Sequence, residues 1–379
     1  MIPTNNSNDL PSSLAVLLAD LDKKGVTDFR RYQAVRNYMN FRAREKDIPV
    51  SGVFELTPLC NLDCKMCYVH LEKSQLRNAE LLSSEKWKEI ISQAVSNGMM
   101  YAKLTGGECL TYPKFKEIYL YLRNLGVETS ILSNGVLMDE QTVEFLKENP
   151  PSRIQITLYG ASEDAYESVT GHRVFSKTLN NIKNIIQSNI PLSVAITPNS
   201  FMNDGEKIVR LVHSLGLPIT INSGLMSPRE GTGRKKLDAD IDTYVSMFRL
   251  KNELQGISPV ENCDDEGLPS YISDSENSPK GVTCGAGRST FSISWCGEMR
   301  PCNTFPLIVE NVLELGFSEA WKRISSQVKE YPLPIECEGC KHKQLCKHCV
   351  AEHFSGAPAG HANPAICEWM HRMAAEGLV

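Results

Sequence analysis

Three cysteines stand close together in Cys60-Asn61-Leu62-Asp63-Cys64-Lys65-Met66-Cys67, directly after an apolar, β-prone run, Val53-Phe54-Glu55-Leu56-Thr57, that ends at Pro58. This order places three thiols on a loop leaving a strand. Thiolates are soft ligands suited to iron-sulfur clusters and zinc, and tight spacing lets one loop wrap one metal centre with little further ordering of the chain. Three ligands are one fewer than a closed structural site takes. The loop therefore finds a distant fourth ligand or leaves one metal position open for chemistry.

A second constellation fills the last hundred residues: Cys284, Cys302, then Cys337-x2-Cys340-x5-Cys346-x2-Cys349, and Cys367. Taken alone, its paired spacings suit a zinc-ribbon-like module as well as clusters. Thirteen cysteines, an odd and unevenly spaced set, argue for metal clusters in a reducing compartment rather than for disulfides. His342, His348, His353, His361 and His371 lie nearby and read as surface or supporting residues.

The elements that must position these cysteines emerge from the rest of the pattern. At 379 residues and 41% hydrophobic content, the chain can hold one large domain with a smaller companion. A net charge of -5 gives no nucleic-acid footprint. No apolar run is long enough to span a bilayer and Met1 to Asp9 is polar, so the expectation is a cytoplasmic protein with no membrane partner. Residues 1 to 10 read as a tail and 11 to 47 as two helices, with Leu14, Leu17, Leu18 and Leu21 at helical spacing in the first and Phe29, Tyr32, Val35, Tyr38 and Met39 in the second. The arginines of the second helix read as the solvated face of a helix packed on a barrel.

From residue 53 strand and helix alternate. Strand-like runs fall at 53–57, 101–105, 128–133, 153–158, 192–197 and 218–223, with helical stretches at 84–97, 114–124, 139–148, 162–188 in two pieces, and 203–215. Ser83 or Ser84 and Asp139 are placed to cap helices, and Gly98, Gly126 and Gly216 to end them. Six βα units in tandem predict an α/β fold, a parallel sheet covered by helices and closed or partly closed as a barrel, with chemistry at the C-terminal ends of its strands. The chain then divides into residues 1–48, the barrel over 49–236, a bridge over 237–280 and a Cys-rich domain over 281–379. Within and beside the bridge, 228–234 reads as a loop, 238–254 as a helix, and the acidic run 264–280 as a surface excursion or a lid. Cys263 stands alone and reads as unligated.

The strand exits carry candidate site residues: Thr105-Gly106-Gly107-Glu108, Ser133-Asn134-Gly135, Thr157-Leu158-Tyr159-Gly160 and Thr197-Pro198-Asn199. Gly permits close approach of backbone to a ligand, and a carboxylate complements an ammonium. Asn-Gly is also an ordinary turn. The CxxxCxxC spacing, the aromatic Tyr68 after it, the Gly-Gly-Glu element and the Ser-Asn-Gly element together resemble the radical S-adenosylmethionine (radical SAM) enzymes. The C-terminal cysteines resemble the SPASM extension of that family, with two residues before Cys349 where relatives commonly have three.

What the resemblance implies is a partial (β/α)6 TIM-like barrel followed by a small Cys-rich SPASM domain. It implies a 4Fe-4S cluster on Cys60, Cys64 and Cys67 that binds S-adenosyl-L-methionine and cleaves it reductively to a 5'-deoxyadenosyl radical. Gly106, Gly107, Glu108, Ser133, Asn134 and Arg173 would contact S-adenosylmethionine. One auxiliary 4Fe-4S cluster would take Cys337, Cys340, Cys346 and Cys367. Another would take Cys284, Cys302 and Cys349, with Cys296 the nearest candidate for its fourth ligand.

Two departures stand out against the family pattern: Cys109 where a proline is common, read as an inert packed residue, and Tyr159 where peptide-modifying relatives often have Asp. The implied activity is that of an oxidoreductase acting on a ribosomally made peptide, with a peptide or protein substrate and an electron donor such as flavodoxin or ferredoxin. Rival readings are a sulfatase-maturing enzyme, a small-molecule radical enzyme and a zinc-stabilised binding module. The two-helix pattern before the barrel does not resemble a winged-helix leader-recognition domain, so leader capture is expected at the barrel, the bridge or a separate protein.

Overall fold

The apolar-polar alternation from residue 51 onward resolves into a parallel sheet. The computed structural model describes residues 28–69, 71, 73–77, 79–223, 225, 238–256, 282, 284–342, 346, 349–354 and 356–378. Within it β1 (Ser51–Glu55), β2 (Tyr101–Thr105), β3 (Glu128–Ser133), β4 (Arg153–Leu158), β5 (Leu192–Ile196) and β6 (Ile219–Ile221) lie side by side in chain order, every neighbouring pair parallel. Helices α1 (Asp28–Glu45) and α2 (Lys73–Arg77) flank β1 in sequence. Next along the chain come α3 (Ser84–Ser96), α4 (Phe115–Asn124), α5 (Glu140–Glu148), α6 (Glu163–Thr170), α7 (Phe175–Gln187), α8 (Gly205–Ser214) and α9 (Ile241–Gln255). The six expected strands and the helices between them are present with ends shifted by a few residues. The first expected helix, the 228–234 loop, Cys263 and the 264–280 run lie outside the described residues. Among the described residues no helix is long and apolar enough to cross a membrane.

Local chemistry sets the boundaries. Ser83 accepts from Lys86 N at the start of α3, and Asp139 accepts from Thr142 N at the start of α5. Each helix turns one apolar stripe inward: Trp87, Ile90, Ile91 and Ala94 on α3, and Ile118, Tyr119 and Leu122 on α4. These meet Phe54, Leu104, Ile131, Ile154, Ile156 and Val194 from the sheet in one core. The basic helix α1 packs on the barrel as expected, but Arg36 is part of the contact rather than of a solvated face: its guanidinium lies 4.4 Å over the Tyr101 ring and pairs with Glu128 at 3.3 Å.

The C-terminal segment extends the sheet. β7 (Thr290–Ile293) pairs parallel with β1, and β8 (Glu298–Arg300) and β9 (Glu310–Asn311) add antiparallel, giving one nine-stranded sheet in the order β6-β5-β4-β3-β2-β1-β7-β8-β9. After α10 (Val312–Leu315), α11 (Phe317–Glu330) covers this extension with Phe317, Trp321, Ile324 and Val328, and α12 (Val350–Phe354) and α13 (Pro364–Ala375) come after it. The reason is apolar: Phe291 is fully buried and meets Phe54, Phe317 and Trp321 at 5.9, 5.0 and 6.1 Å between ring centroids. Phe291→Ala is therefore expected to destabilise barrel and C-terminal segment together by about 3–5 kcal/mol, read as one shifted transition in thermal or denaturant unfolding. Two separate transitions, with only the later residues affected, would contradict the shared core.

Candidate active site and cysteine sets

The cysteine loop is built onto the exits of three other strands. Gly107 N donates to Thr57 O and Glu108 N to Leu59 O, both at 2.8 Å, so the Gly106-Gly107-Glu108 turn after β2 clasps the chain just before Cys60. The clasp requires glycine. A Cβ on Gly106, whose φ is +140°, would lie 2.4 Å from Thr57 O, and one on Gly107 would lie 2.4 Å from Leu59 O and 2.5 Å from Pro58 O. On the other side Asp63 N donates to Thr170 O and Lys65 N to Val169 O, each at 3.0 Å, which seats the loop on the end of α6. The Lys65 ammonium lies 4.1 Å over the Phe201 ring.

Glu108 is 1% exposed and occupied on every side. Its carboxylate accepts from Ser133 Oγ at 3.0 Å, from Asn134 N at 2.8 Å and from Leu110 N at 3.2 Å. Burial pushes its carboxyl up from the ordinary value, against the pull of the Asn134 and Leu110 bonds. The side chain thus ties the β2 exit to the β3 exit. Asn134 continues the chain of contacts, donating from Nδ2 to Asn61 Oδ1 at 2.8 Å and to Cys60 Sγ at 3.6 Å, and Asn181 Nδ2 fixes the turn through Gly135 O at 2.8 Å.

Cys60, Cys64 and Cys67 are neighbours on this loop that act on one another electrostatically. Desolvation pushes the Cys60 thiol up to about 11 and the Cys64 thiol well above its ordinary value, with the neighbouring cysteines of the loop adding in each case. Such thiols ionise when a metal takes the proton's place. Tyr159, half-buried beside Cys64 and Cys67, hydrogen-bonds to Cys64. Cys109 is fully buried, its Sγ 3.5 Å from Leu132 O, and burial holds it protonated, in keeping with an inert packed residue. Arg173 stands just past the α6 end that holds the loop, and its guanidinium is taken by Asp164 at 2.5 Å and Glu167 at 2.8 Å.

Among the C-terminal cysteines, thiols act on one another electrostatically in two sets. Cys337, Cys340, Cys346 and Cys367 lie within electrostatic reach of one another, and so do Cys284, Cys302 and Cys349. Cys296 is placed elsewhere, at the β7–β8 turn, 3.2 Å from Ser294 Oγ and packed with Val69, Leu71 and Trp295. Among the described residues no three His, Cys, Asp or Glu side chains converge closely enough to hold a single metal ion. The thiols of each set are neighbours rather than a closed cage. His371 Nε2 approaches Cys340 Sγ at 3.9 Å and its ring lies 4.8 Å from that of His342.

The donor chemistry fits the group that the sequence implies: soft sulfurs on one loop, an amide reaching one of them, and a glycine turn pressed against the loop where no side chain has room. Contacts missed in the sequence are Asn134 to Cys60, Tyr159 to Cys64, and Asn303, whose Nδ2 donates to Tyr68 Oη at 2.5 Å. The strand-exit positions of Asn134 and Tyr159, and the place of Tyr68 just after the cysteines, were the available signals; Asn303 carried none.

Comparison with known proteins agrees with this geometry. Residues 54–212 match the family model of the radical SAM superfamily. The chain is similar to the sporulation killing factor maturation protein SkfB of Bacillus subtilis (strain 168), 27% identical over 78% of this chain and 69% of that protein. It is also similar to the antilisterial bacteriocin subtilosin biosynthesis protein AlbA of the same organism, 25% identical over 89% and 75%. In fold it resembles Streptococcus suis SuiB, solved bound to S-adenosylmethionine, with a TM-score of 0.64 over 93% of this chain and 87% of that one at 16% identity.

Proposed function

The chain belongs to the radical SAM superfamily and is a radical SAM enzyme, and from that premise we propose that it matures a ribosomally synthesised peptide by oxidative modification or crosslinking. The observation that carries this reading is the second soft-ligand set beside the first: Asn303, next after Cys302, touches Tyr68, next after Cys67. An oxidation that removes a hydrogen atom from a substrate must also dispose of a further electron and proton, and a neighbouring cluster is a suitable acceptor. The relatives named for maturation of a killing factor and for biosynthesis of a bacteriocin support a peptide as the substrate.

Bound to these residues, a 4Fe-4S cluster and S-adenosylmethionine supply reductive cleavage of the sulfonium and hydrogen-atom abstraction. In this reading Cys60, Cys64 and Cys67 hold the first cluster, and Cys337, Cys340, Cys346 and Cys367 hold one auxiliary cluster. Cys284, Cys302 and Cys349 hold another, and Cys296 is not its fourth ligand. The backbone of Gly106 and Gly107, with Ser133 and Asn134, faces S-adenosylmethionine. Glu108 serves as a positioning residue, since its oxygens are taken by protein donors. Arg173 joins the cofactor contacts by exchanging Asp164 and Glu167 for a ligand carboxylate. An electron donor such as flavodoxin or ferredoxin and a reducing, cytoplasmic setting complete the reading.

The test is anaerobic incubation of the reduced protein and S-adenosylmethionine with the short peptides encoded beside its gene, with mass spectrometry of the products. Loss of hydrogen mass from one peptide, in step with 5'-deoxyadenosine, is the expected result. An aldehyde formed only on a sulfatase-derived Cys or Ser peptide would replace this reading with formylglycine formation.

A further inference from the structure

The loop that carries Cys60, Cys64 and Cys67 rests on residues that flank the second cysteine group. Tyr68 accepts the 2.5 Å hydrogen bond from Asn303 Nδ2. Beside it Val69 and Leu71 pack on Trp295, and Leu82 N donates to Trp295 O at 3.0 Å. On its other side the Cys302 segment is held stiffly: Cys302 Sγ lies 3.3 Å from Thr304 Oγ1, and Phe305 is fully buried with its ring 5.0 Å from that of Tyr331. Packed interiors deform little, so a shift of Cys302 is passed on rather than absorbed. Cys67-Tyr68, one hydrogen bond, and Asn303-Cys302 thus connect the two cysteine groups.

We propose that the Tyr68–Asn303 hydrogen bond is a positioning joint through which occupation of the Cys284, Cys302 and Cys349 group orients the Cys60–Cys67 loop for S-adenosylmethionine. The inference rests on the proposed function only in requiring that both groups hold clusters. Partners one step removed from a metal set the orientation of its ligands, and their loss costs on the order of tenfold or more in affinity. The joint therefore couples assembly of the second site to competence of the first.

The experiment measures S-adenosylmethionine affinity and the electron paramagnetic resonance spectrum of the reduced, S-adenosylmethionine-bound first cluster. The proteins are the reconstituted wild type, Tyr68→Phe, Asn303→Ala, Asn303→Asp, Cys349→Ser and the pair Tyr68→Phe/Cys349→Ser. Tyr68→Phe, Asn303→Ala and Cys349→Ser are each expected to weaken binding about tenfold and to change the spectrum alike, with the pair no worse than either single change. Asn303→Asp is expected to recover most of the affinity, because the tyrosine hydroxyl can donate to the carboxylate.

Singles within about twofold of wild type, or effects that multiply in the pair, would overturn the joint. If Cys349→Ser does not fold, Cys284→Ser takes its place, alone and paired with Tyr68→Phe, under the same criteria. A wild-type protein that binds no iron would defeat the functional reading itself, whereas loaded clusters with multiplying effects would defeat only this inference.

Discussion

Replacing Glu108 by alanine is expected to unmake the candidate site and to lower stability by about 1–3 kcal/mol, the cost of leaving a buried donor unsatisfied. The carboxylate is the common acceptor for Ser133 Oγ, Asn134 N and Leu110 N inside a fully buried space. Alanine leaves these donors without partner or water. Asn134, no longer held by its backbone, also loses the alignment that carries its side chain to Asn61 and Cys60. A misplacement of about 1 Å costs on the order of a hundredfold in rate, so reductive cleavage of S-adenosylmethionine is expected to fall at least that far. Glu108→Gln keeps the shape but turns one acceptor into a donor, and should fall between alanine and wild type. The measurements are thermal unfolding and the rate of 5'-deoxyadenosine formation. Alanine behaving as wild type in both would mean that the tie between the β2 and β3 exits holds nothing.

Gly107→Ala should match that loss of activity by a different route. The added Cβ meets two backbone carbonyls, Leu59 O at 2.4 Å and Pro58 O at 2.5 Å, and neither can rotate away as a side chain would. The cysteine loop must lift from the glycine turn, breaking the bonds from Gly107 N to Thr57 O and from Glu108 N to Leu59 O. Overpacking of this kind costs about 1–3 kcal/mol, and it falls where the loop is aimed. The expected signature is a modest fall in melting temperature with 5'-deoxyadenosine formation reduced at least about a hundredfold. Gly126→Ala is the informative contrast, since its φ is +74° but nothing lies within 4 Å of the added carbon. It should cost about 1 kcal/mol of stability and leave turnover intact. Equal activity in both variants would contradict the clasp.

Much of the barrel was legible because its signals are local. Burial alternates along the six residues of β3 and of β4, the runs of β1, β2 and β5 are short and β-prone, and Ser83, Asp139, Gly98, Gly126 and Gly216 punctuate the helices where backbone chemistry demands it. The extension of the sheet was not legible, because the pairing of β7 with β1 joins residues more than two hundred positions apart, and its cause is the burial of Phe291 among rings from other elements. Helix α11 carries a clear apolar stripe, but it lies between cysteines that dominate the eye.

In the site, identity was legible and assignment was not. Gly106 and Gly107 press on the backbone just before Cys60, and Ser133 and Asn134 meet the Glu108 carboxylate. Glu108 has its oxygens turned to Ser133, Asn134 and Leu110, and Arg173 is paired with Asp164 and Glu167; neither choice of partner leaves a mark in spacing. Cys296 is the nearest cysteine in sequence to the second group but is drawn to Trp295 by a tight turn with Gly297 at φ +84°. Sequence distance says little about distance across a hairpin.

The most direct test of the account is the iron, sulfide and zinc content of anaerobically purified protein, before and after Cys60, Cys64 and Cys67 are all changed to alanine, read alongside S-adenosylmethionine cleavage. The account predicts about twelve irons falling to about eight, with 5'-deoxyadenosine formation abolished, as expected for three four-iron clusters of which one is removed. Zinc without iron, and no 5'-deoxyadenosine from the unaltered protein, would contradict it and leave the cysteines as the staples of a binding module.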